Sequence, residues 1–213
     1  MNVHPGGILT GDEINAMHAI GAIEIDPFDK RCLNAVSVDL HLGENVAIYT
    51  AVARESLEDA LFYKSTDPYL HANGVLDSRA ENPVYRFKIS EHGLTLTPGV
   101  LYLMHTLERV STKRFVPVLD GKSSIGRLGI KVHETAGYGD PGFDGQYTLE
   151  VTCVHPVRIY AGMRFCQMRF HTLVGAVELY GIKPYKSNYI GAFAEGPVPS
   201  RSFKQFEQDG ELT

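Results

Sequence analysis

GKSSIGRLGIKVHETAGYGDPGFDGQYTLEVTCV, residues Gly121–Val154, holds two short alternating runs joined through glycine, proline and aspartate turns. In Gln146–Val154 the residues Tyr147, Leu149, Val151 and Cys153 share one face and Thr148, Glu150 and Thr152 the other, the period-two signature of a half-buried strand. Gly129–Glu134 reads as a second strand, and Tyr138–Gly145 as the turn-rich connection between them. A carboxylate between two threonines, on the polar face of a strand that follows a glycine-rich loop, is the first candidate for chemistry.

Outward from this stretch the same pattern repeats. Ser37–Leu42 alternates, with Val38, Leu40 and Leu42 on one side. Residues 45–50, 84–89, 100–106, 115–119, 163–172 and 176–180 follow as further short runs bounded by turn residues. Many short strands without intervening helices predict a mainly β fold, a distorted jelly roll or barrel, and argue against a βαβ sheet. One helix is legible: Thr10 and Glu13 have capping-box spacing, Ile14, Met17 and Ile20 fall roughly on one side, and Gly21 offers a stop. Residues 56–82 are more polar and less periodic and read as an insertion, with a helical turn near Leu57–Phe62. The tail 191–213 has no core-forming period and is expected to be disordered or to fold over another part of the molecule. The whole, 1–213, reads as a single domain.

Composition narrows the function classes. With 20 basic and 25 acidic residues the net charge is −5, so no broad positive field exists to hold nucleic acid unspecifically. Cys32, Cys153 and Cys166 lack metal-ligand spacing, which points away from structural zinc or a disulfide framework and towards reduced thiols in a cytoplasmic protein. The N-terminal residues resemble no signal peptide, and no run of about 18 apolar residues occurs, so no membrane association is expected.

Several residues in the central stretch suit a phosphorylated ligand. Gly121–Gly129 (GKSSIGRLG) is not a P-loop, because it lacks the GxxxxGK[ST] order, yet small residues, two hydroxyls and the planar fork of Arg127 favour an anion. Asp140, before Pro141 and Gly142, is both a turn starter and a carboxylate able to grip a hydroxyl or a water. His133 reads first as a core histidine, and Arg158, Arg164 and Arg169 as surface or subunit-contact charges.

The run Gly121–Val151 resembles the signature of the dCTP deaminases, the zinc-free branch of the trimeric dUTPase superfamily. The likeness extends through GILTGDEINAMHAIGAIEIDPFD (Gly7–Asp29), SVDLHLG (Ser37–Gly43), PGVLYLMHTLE (Pro98–Glu108), YAGMRFCQM (Tyr160–Met168) and GPVPSRSF (Gly196–Phe203), in order along the chain. It implies a dUTPase-like jelly roll and a homotrimer whose active sites are shared between neighbouring subunits. It also implies a deoxycytidine nucleotide as substrate, with Mg²⁺ carried on the phosphates and no protein-held metal. By the same resemblance Glu150 is the general base that activates water for attack at C4 of cytosine, a role that calls for burial to lift its pKa. Ser123 holds that water, Arg127 stabilises developing charge and Asp140 meets the deoxyribose 3′-hydroxyl. The main chain around Ala136 reads the base, Lys122, Ser124, Gln167 and Tyr185 contact phosphates or frame the pocket, and Gly126, His133, Gly137, Tyr138, Thr148 and Leu149 complete the substrate-contacting set.

The Thr135–Tyr138 segment, with Ala-Gly before an aromatic, is similar to the bifunctional members that also release diphosphate and yield dUMP, and Gly137 is expected to leave room for a second water. Asn188 and Ala192 stand where the family usually has Lys and Gln on the outer phosphates. Losing one charge-assisted contact costs roughly 1.5 to 3 kcal/mol of phosphate affinity unless Lys183, Lys186 or Arg201 substitutes. Three further readings stay open at this stage. They are a deaminase yielding dUTP or acting on dCMP or a modified cytosine nucleotide, a plain dUTPase, and a nucleotide-sensing protein without turnover.

Overall fold

The computed structural model describes residues 6–50, 76–182, 189 and 196–208. Helix α1 (Gly11–Ala19) begins at Thr10, whose hydroxyl accepts the Glu13 N–H at 3.3 Å, as the Thr-x-x-Glu spacing predicts. Ile14 and Met17 are buried beneath it, but Ile20 is 66% exposed, because the helix stops at Ala19 and the chain turns away through Gly21 at φ 70°.

The strands are β1 (Glu24–Asp26), β2 (Val38–His41), β3 (Asn45–Tyr49), β4 (Val84–Lys88), β5 (Leu94–Leu96), β6 (Tyr102–Ser111) and β7 (Phe115–Gly121). A one-turn helix α2 (Ser123–Gly126) leads into β8 (Ile130–Lys131), β9 (Asp144–Cys153), β10 (Val157–Ile159) and β11 (Arg164–Thr172), and α3 (Lys204–Gln208) lies in the tail. The largest sheet runs β4-β3-β6-β9-β8, with β1 added to β6; β2-β11-β7 form a second sheet and β10-β5 a third. Every strand pair is antiparallel.

The two larger sheets share one core. Leu149 and Val151 of β9 and Met104 of β6 meet Leu40 of β2 and Phe165, Met168 and Phe170 of β11, each fully buried or nearly so. Each such side chain contributes about 1.5 to 3 kcal/mol of burial free energy. Cys32, Cys153 and Cys166 are buried free thiols in the same core. A register shift between His105 and Arg109 interrupts the β6–β9 ladder and turns Thr106 and Glu108 inward. Both are satisfied there: the Thr106 hydroxyl donates to the Glu108 carbonyl at 2.8 Å, and the Glu108 carboxylate accepts the His41 N–H at 2.9 Å and pairs with the His41 ring.

Three sequence expectations are corrected. Residues 176–180 form no strand; Tyr180 instead packs on the Pro141–Gly142 turn and donates its N–H to the Pro141 carbonyl at 2.8 Å. The strand expected over Gly129–Glu134 is confined to Ile130–Lys131, since beyond Val132 the chain bends to follow Glu150 and His133 falls outside the ladder. β1, β5 and β10, of three residues each, are too short to show a period and were not expected. Leu57–Phe62 lies outside the described residues. Of the tail, 196–208 folds back over the largest sheet, where Arg86 of β4 donates to the Pro197 carbonyl at 2.8 Å. Among the described residues no helix is long and apolar enough to cross a membrane.

Candidate active site

Glu150 lies at the centre of β9 on the face opposite Leu149 and Val151, half-buried, at the wall of a cavity of about 750 Å³. That volume is of the size a nucleotide-scale ligand occupies. The carboxylate is held from one side: its Oε2 accepts the Glu134 N–H at 3.1 Å. Glu134 is in turn fixed by its own carboxylate, which accepts the Thr152 hydroxyl at 2.7 Å and pairs with Lys131 at 3.4 Å. The Thr152 hydrogen bond, and then Lys131, hold the Glu134 carboxyl below its ordinary range against a smaller opposing effect of burial.

The loop after Glu134 carries Ala136, Tyr138 and Asp140 to the same cavity. It follows β7 as an extra edge, with the Leu119 N–H donating to the Gly137 carbonyl at 2.7 Å and the Gly139 N–H to the Pro117 carbonyl at 2.8 Å. A Cβ on Gly137 would fall 2.8 Å from the Leu119 carbonyl and 3.2 Å from His133 Nε2. Gly137 is therefore required by its close approach to β7. Asp140 opens a turn closed by the Phe143 N–H on the Asp140 carbonyl at 3.0 Å, with Pro141 followed by Gly142 at φ 94°, the type II order. No described residue hydrogen-bonds the exposed Asp140 carboxylate.

Ala136, Tyr138, Asp140, Thr148 and Glu150 thus share one cavity. Leu149 does not: its side chain is fully buried on the core side of β9. His133 stands behind the loop, with its Nδ1 buried and unpartnered. Ser123, Ser124, Gly126 and Arg127 do not line the cavity of their own chain; the first three are exposed on α2, which is pinned by buried Ile125, and Arg127 is exposed at its C-cap. Lys122, expected at a phosphate, has its ammonium 2.6 Å from Asp39, whose side chain is 1% exposed and also takes the Asn34 amide at 2.9 Å. Gln167, on β11 beside that cluster, accepts from Ser37 at 3.4 Å. Of the surface charges, Arg164 lies 3.8 Å from Asp39 and Arg169 2.5 Å from Asp120. Tyr185, Lys183, Lys186, Asn188 and Ala192 lie outside the described residues.

Sequence reasoning missed several lining residues. Phe143 and Tyr147 meet edge to face at 4.8 Å, and Phe143 meets Tyr180 at 5.7 Å, forming an aromatic wall beside Asp140. Period two correctly puts Tyr147 on the core face, but its length carries it to the cavity. Tyr49, Leu101 and Leu103 form the apolar side near Glu150, and Val198 and Ser200 close it from the tail. Nothing local marks Tyr49, whereas GPVPS already stands out as a motif. Among the described residues no group of three His, Cys, Asp or Glu side chains could hold a metal ion.

The sequence profile of the dCTP deaminase-like family matches residues 8–173, which include Lys122 to Gln167. The dCTP deaminase, dUMP-forming, of Leptospira biflexa is 40% identical over 202 residues, covering 94% of this chain and 99% of its own. The proteins of the same name from Clostridium beijerinckii and Cytophaga hutchinsonii are each 38% identical over 202 residues, with the same coverage. The crystal structure of 2′-deoxycytidine 5′-triphosphate deaminase from Agrobacterium tumefaciens superposes with a TM-score of 0.56 at 18% identity, over 82% of this chain and 50% of that longer one. That likeness bears on architecture and agrees with the mainly β, jelly-roll expectation. With the motifs in order, the profile spanning most of the sequence and such identity along nearly the whole length, this chain belongs to the dCTP deaminase-like family.

Proposed function

We propose that this chain deaminates dCTP at C4 and cleaves the product between its α- and β-phosphates, yielding dUMP, ammonia and diphosphate, the outcome named for its relatives. The observation that carries the reading is one cavity holding Glu150, fixed by a backbone N–H, together with the Asp140 carboxylate, which no described residue hydrogen-bonds, and the backbone at Ala136. Glu150 takes a proton from water as its oxygen adds to C4 and passes that proton to N3; it then takes the proton of the C4 hydroxyl as the carbonyl forms and delivers it to the exocyclic nitrogen, which leaves as ammonia. The aromatic wall of Phe143 and Tyr147 sits beside Asp140, a place for the sugar whose 3′-hydroxyl donates to that carboxylate.

Ser123 and Arg127 are exposed on their own chain and outside its cavity, and this supports a homotrimer in which α2 of a neighbouring protomer supplies the hydroxyl and the guanidinium. Lys122, engaged by Asp39, anchors α2, leaving the α2 hydroxyls and Arg127 for the anionic ligand. The substrate is the nucleotide with Mg²⁺ on its phosphates. Gln167 sits with the Asp39 cluster and is assigned to framing that end of the shared site. The setting is the cytoplasm, where buried free thiols stay reduced.

Incubation with dCTP and Mg²⁺ tests the reading: ammonia, dUMP and diphosphate should appear in equal amounts. Accumulation of dUTP with ammonia would leave a deaminase alone, and absence of ammonia from dCTP would overturn the proposal.

A further inference from the structure

The segment Gly196–Ser200 reads GPVPS, and its two prolines carry no N–H. Val198 and Ser200 are the donors that remain across its middle, two residues apart and so able to face the same way in extended chain. Both are used. The Val198 N–H donates to the Thr148 hydroxyl at 3.1 Å and the Ser200 N–H to the Tyr49 hydroxyl at 2.8 Å.

The two acceptors belong to different strands. Thr148 is on β9, two residues from Glu150, and Tyr49 ends β3; β6 lies between them in the sheet and places Leu103 directly opposite Glu150. The strap therefore crosses the strand beside the acid, and Val198 and Ser200 line the same cavity as Glu150, Tyr49 and Thr148. Alternating prolines restrict the segment before it docks, so little ordering entropy opposes two hydrogen bonds. Tyr49 is 8% exposed and packs with Ala47 and Leu103. Burial pushes its phenol pKa up, against a smaller downward pull from the Ser200 N–H, and the Glu150 charge raises it further, so the hydroxyl stays protonated.

We propose that Tyr49 is a positioning residue for the reaction: its hydroxyl holds Ser200, and through it the 196–200 strap, as the cavity wall beside Glu150. The kinetic part rests on the deaminase reading; the docking part does not. A phenylalanine at position 49 keeps the ring and its packing but leaves the Ser200 N–H without its acceptor. The proline rhythm makes this specific, because no neighbouring N–H at 197 or 199 can take over.

The test compares Tyr49→Phe, Ser200→Pro and the double variant. Trypsin cleavage at Arg201 and Lys204 reads the docking without substrate, and steady-state kinetics with dCTP and Mg²⁺ read the reaction. Tyr49→Phe should speed tail cleavage and raise KM by about fivefold, the factor one ordinary hydrogen bond contributes, with kcat within about twofold. In the Ser200→Pro background the same change should have no further effect on either readout. Unchanged cleavage and KM in Tyr49→Phe, or equal effects in both backgrounds, would overturn the assignment. A wild-type protein without ammonia release would remove the deaminase reading, while the cleavage cycle would still decide whether Tyr49 holds the strap. Should Tyr49→Phe also lower the melting temperature, the cycle separates general loosening, which persists in the Ser200→Pro background, from loss of this one bond.

Discussion

Glu150 Oε2 accepts the backbone N–H of Glu134 at 3.1 Å, so the acid at the centre of β9 is oriented by the same loop that brings Ala136, Tyr138 and Asp140 to the cavity. The loop is itself tied to β7 at Leu119 and Pro117. The Glu150 carboxylate and the backbone at Ala136 are thereby set in one frame.

Glu150→Gln keeps the oxygen that accepts from Glu134 and removes only the proton-carrying carboxylate. Ammonia release from dCTP should fall by about 10²- to 10⁴-fold, the usual worth of a positioned acid–base group. Nucleotide affinity and melting temperature should change little, as calorimetry and thermal unfolding would show; activity near wild type would remove Glu150 from its role.

If α2 serves a neighbouring protomer, two inactive variants should complement. Glu150→Gln and Arg127→Ala, co-expressed and purified together, should regain activity above either parent, since mixed assemblies contain sites with both groups intact. No gain on mixing would place the whole site within one chain.

Gly139 and Tyr147 form a close pair. A Cβ on Gly139 would fall 2.3 Å from Tyr147 Oη and 2.9 Å from Pro117, while that phenol oxygen is buried without a hydrogen-bond partner. Gly139→Ala should destabilise by about 1 to 3 kcal/mol through overpacking. Tyr147→Phe should be neutral or mildly stabilising, because it removes an unsatisfied polar atom, and should relieve part of the Gly139→Ala defect in urea unfolding.

Asp39 is buried at the base of α2, with Lys122 at 2.6 Å, Asn34 at 2.9 Å and Arg164 at 3.8 Å. Asp39→Asn preserves shape but leaves two cations without their anion, and should lower stability by roughly 3 kcal/mol. Activity should fall with it as α2 loosens, measured by unfolding and by ammonia release at a temperature where the variant is still folded.

His105 is 4% exposed, and burial lowers its pKa from 6.5 against a smaller opposing effect of its hydrogen bond to the Thr106 carbonyl. With Nδ1 donating to that carbonyl at 2.8 Å, Nε2 accepts the Asn45 N–H at 3.3 Å, an arrangement that suits the neutral ring. The unfolded chain then binds more protons than the native one below pH 6.5. This contribution to stability is fully present above that value and is lost as pH falls towards the native pKa. An NMR titration should place the His105 midpoint below 6.5, and a midpoint at or above 6.5 would contradict the reading.

Much of the architecture was legible from alternation alone. Leu149, Val151 and Cys153 face the core and Glu150 the cavity, as period two requires, and Thr10 caps α1 as its spacing implies. Where the pattern misled, a neighbour from far along the chain decided the outcome. Residues 176–180 read as a strand but pack on the Pro141–Gly142 turn and on Phe143 instead of joining a sheet.

The amino-acid order by itself determined a mainly β chain, the face on which Glu150 stands, the turn at Asp140 and the family, because these depend on period, turn chemistry and short motifs. Only the folded molecule decided that Lys122 is engaged by Asp39, that Tyr49 and Thr148 hold GPVPS over the cavity, and that Ser123 and Arg127 lie outside the cavity of their own chain. These are pairings between residues up to 151 positions apart, set by sheet order and strand register, and no local pattern encodes them.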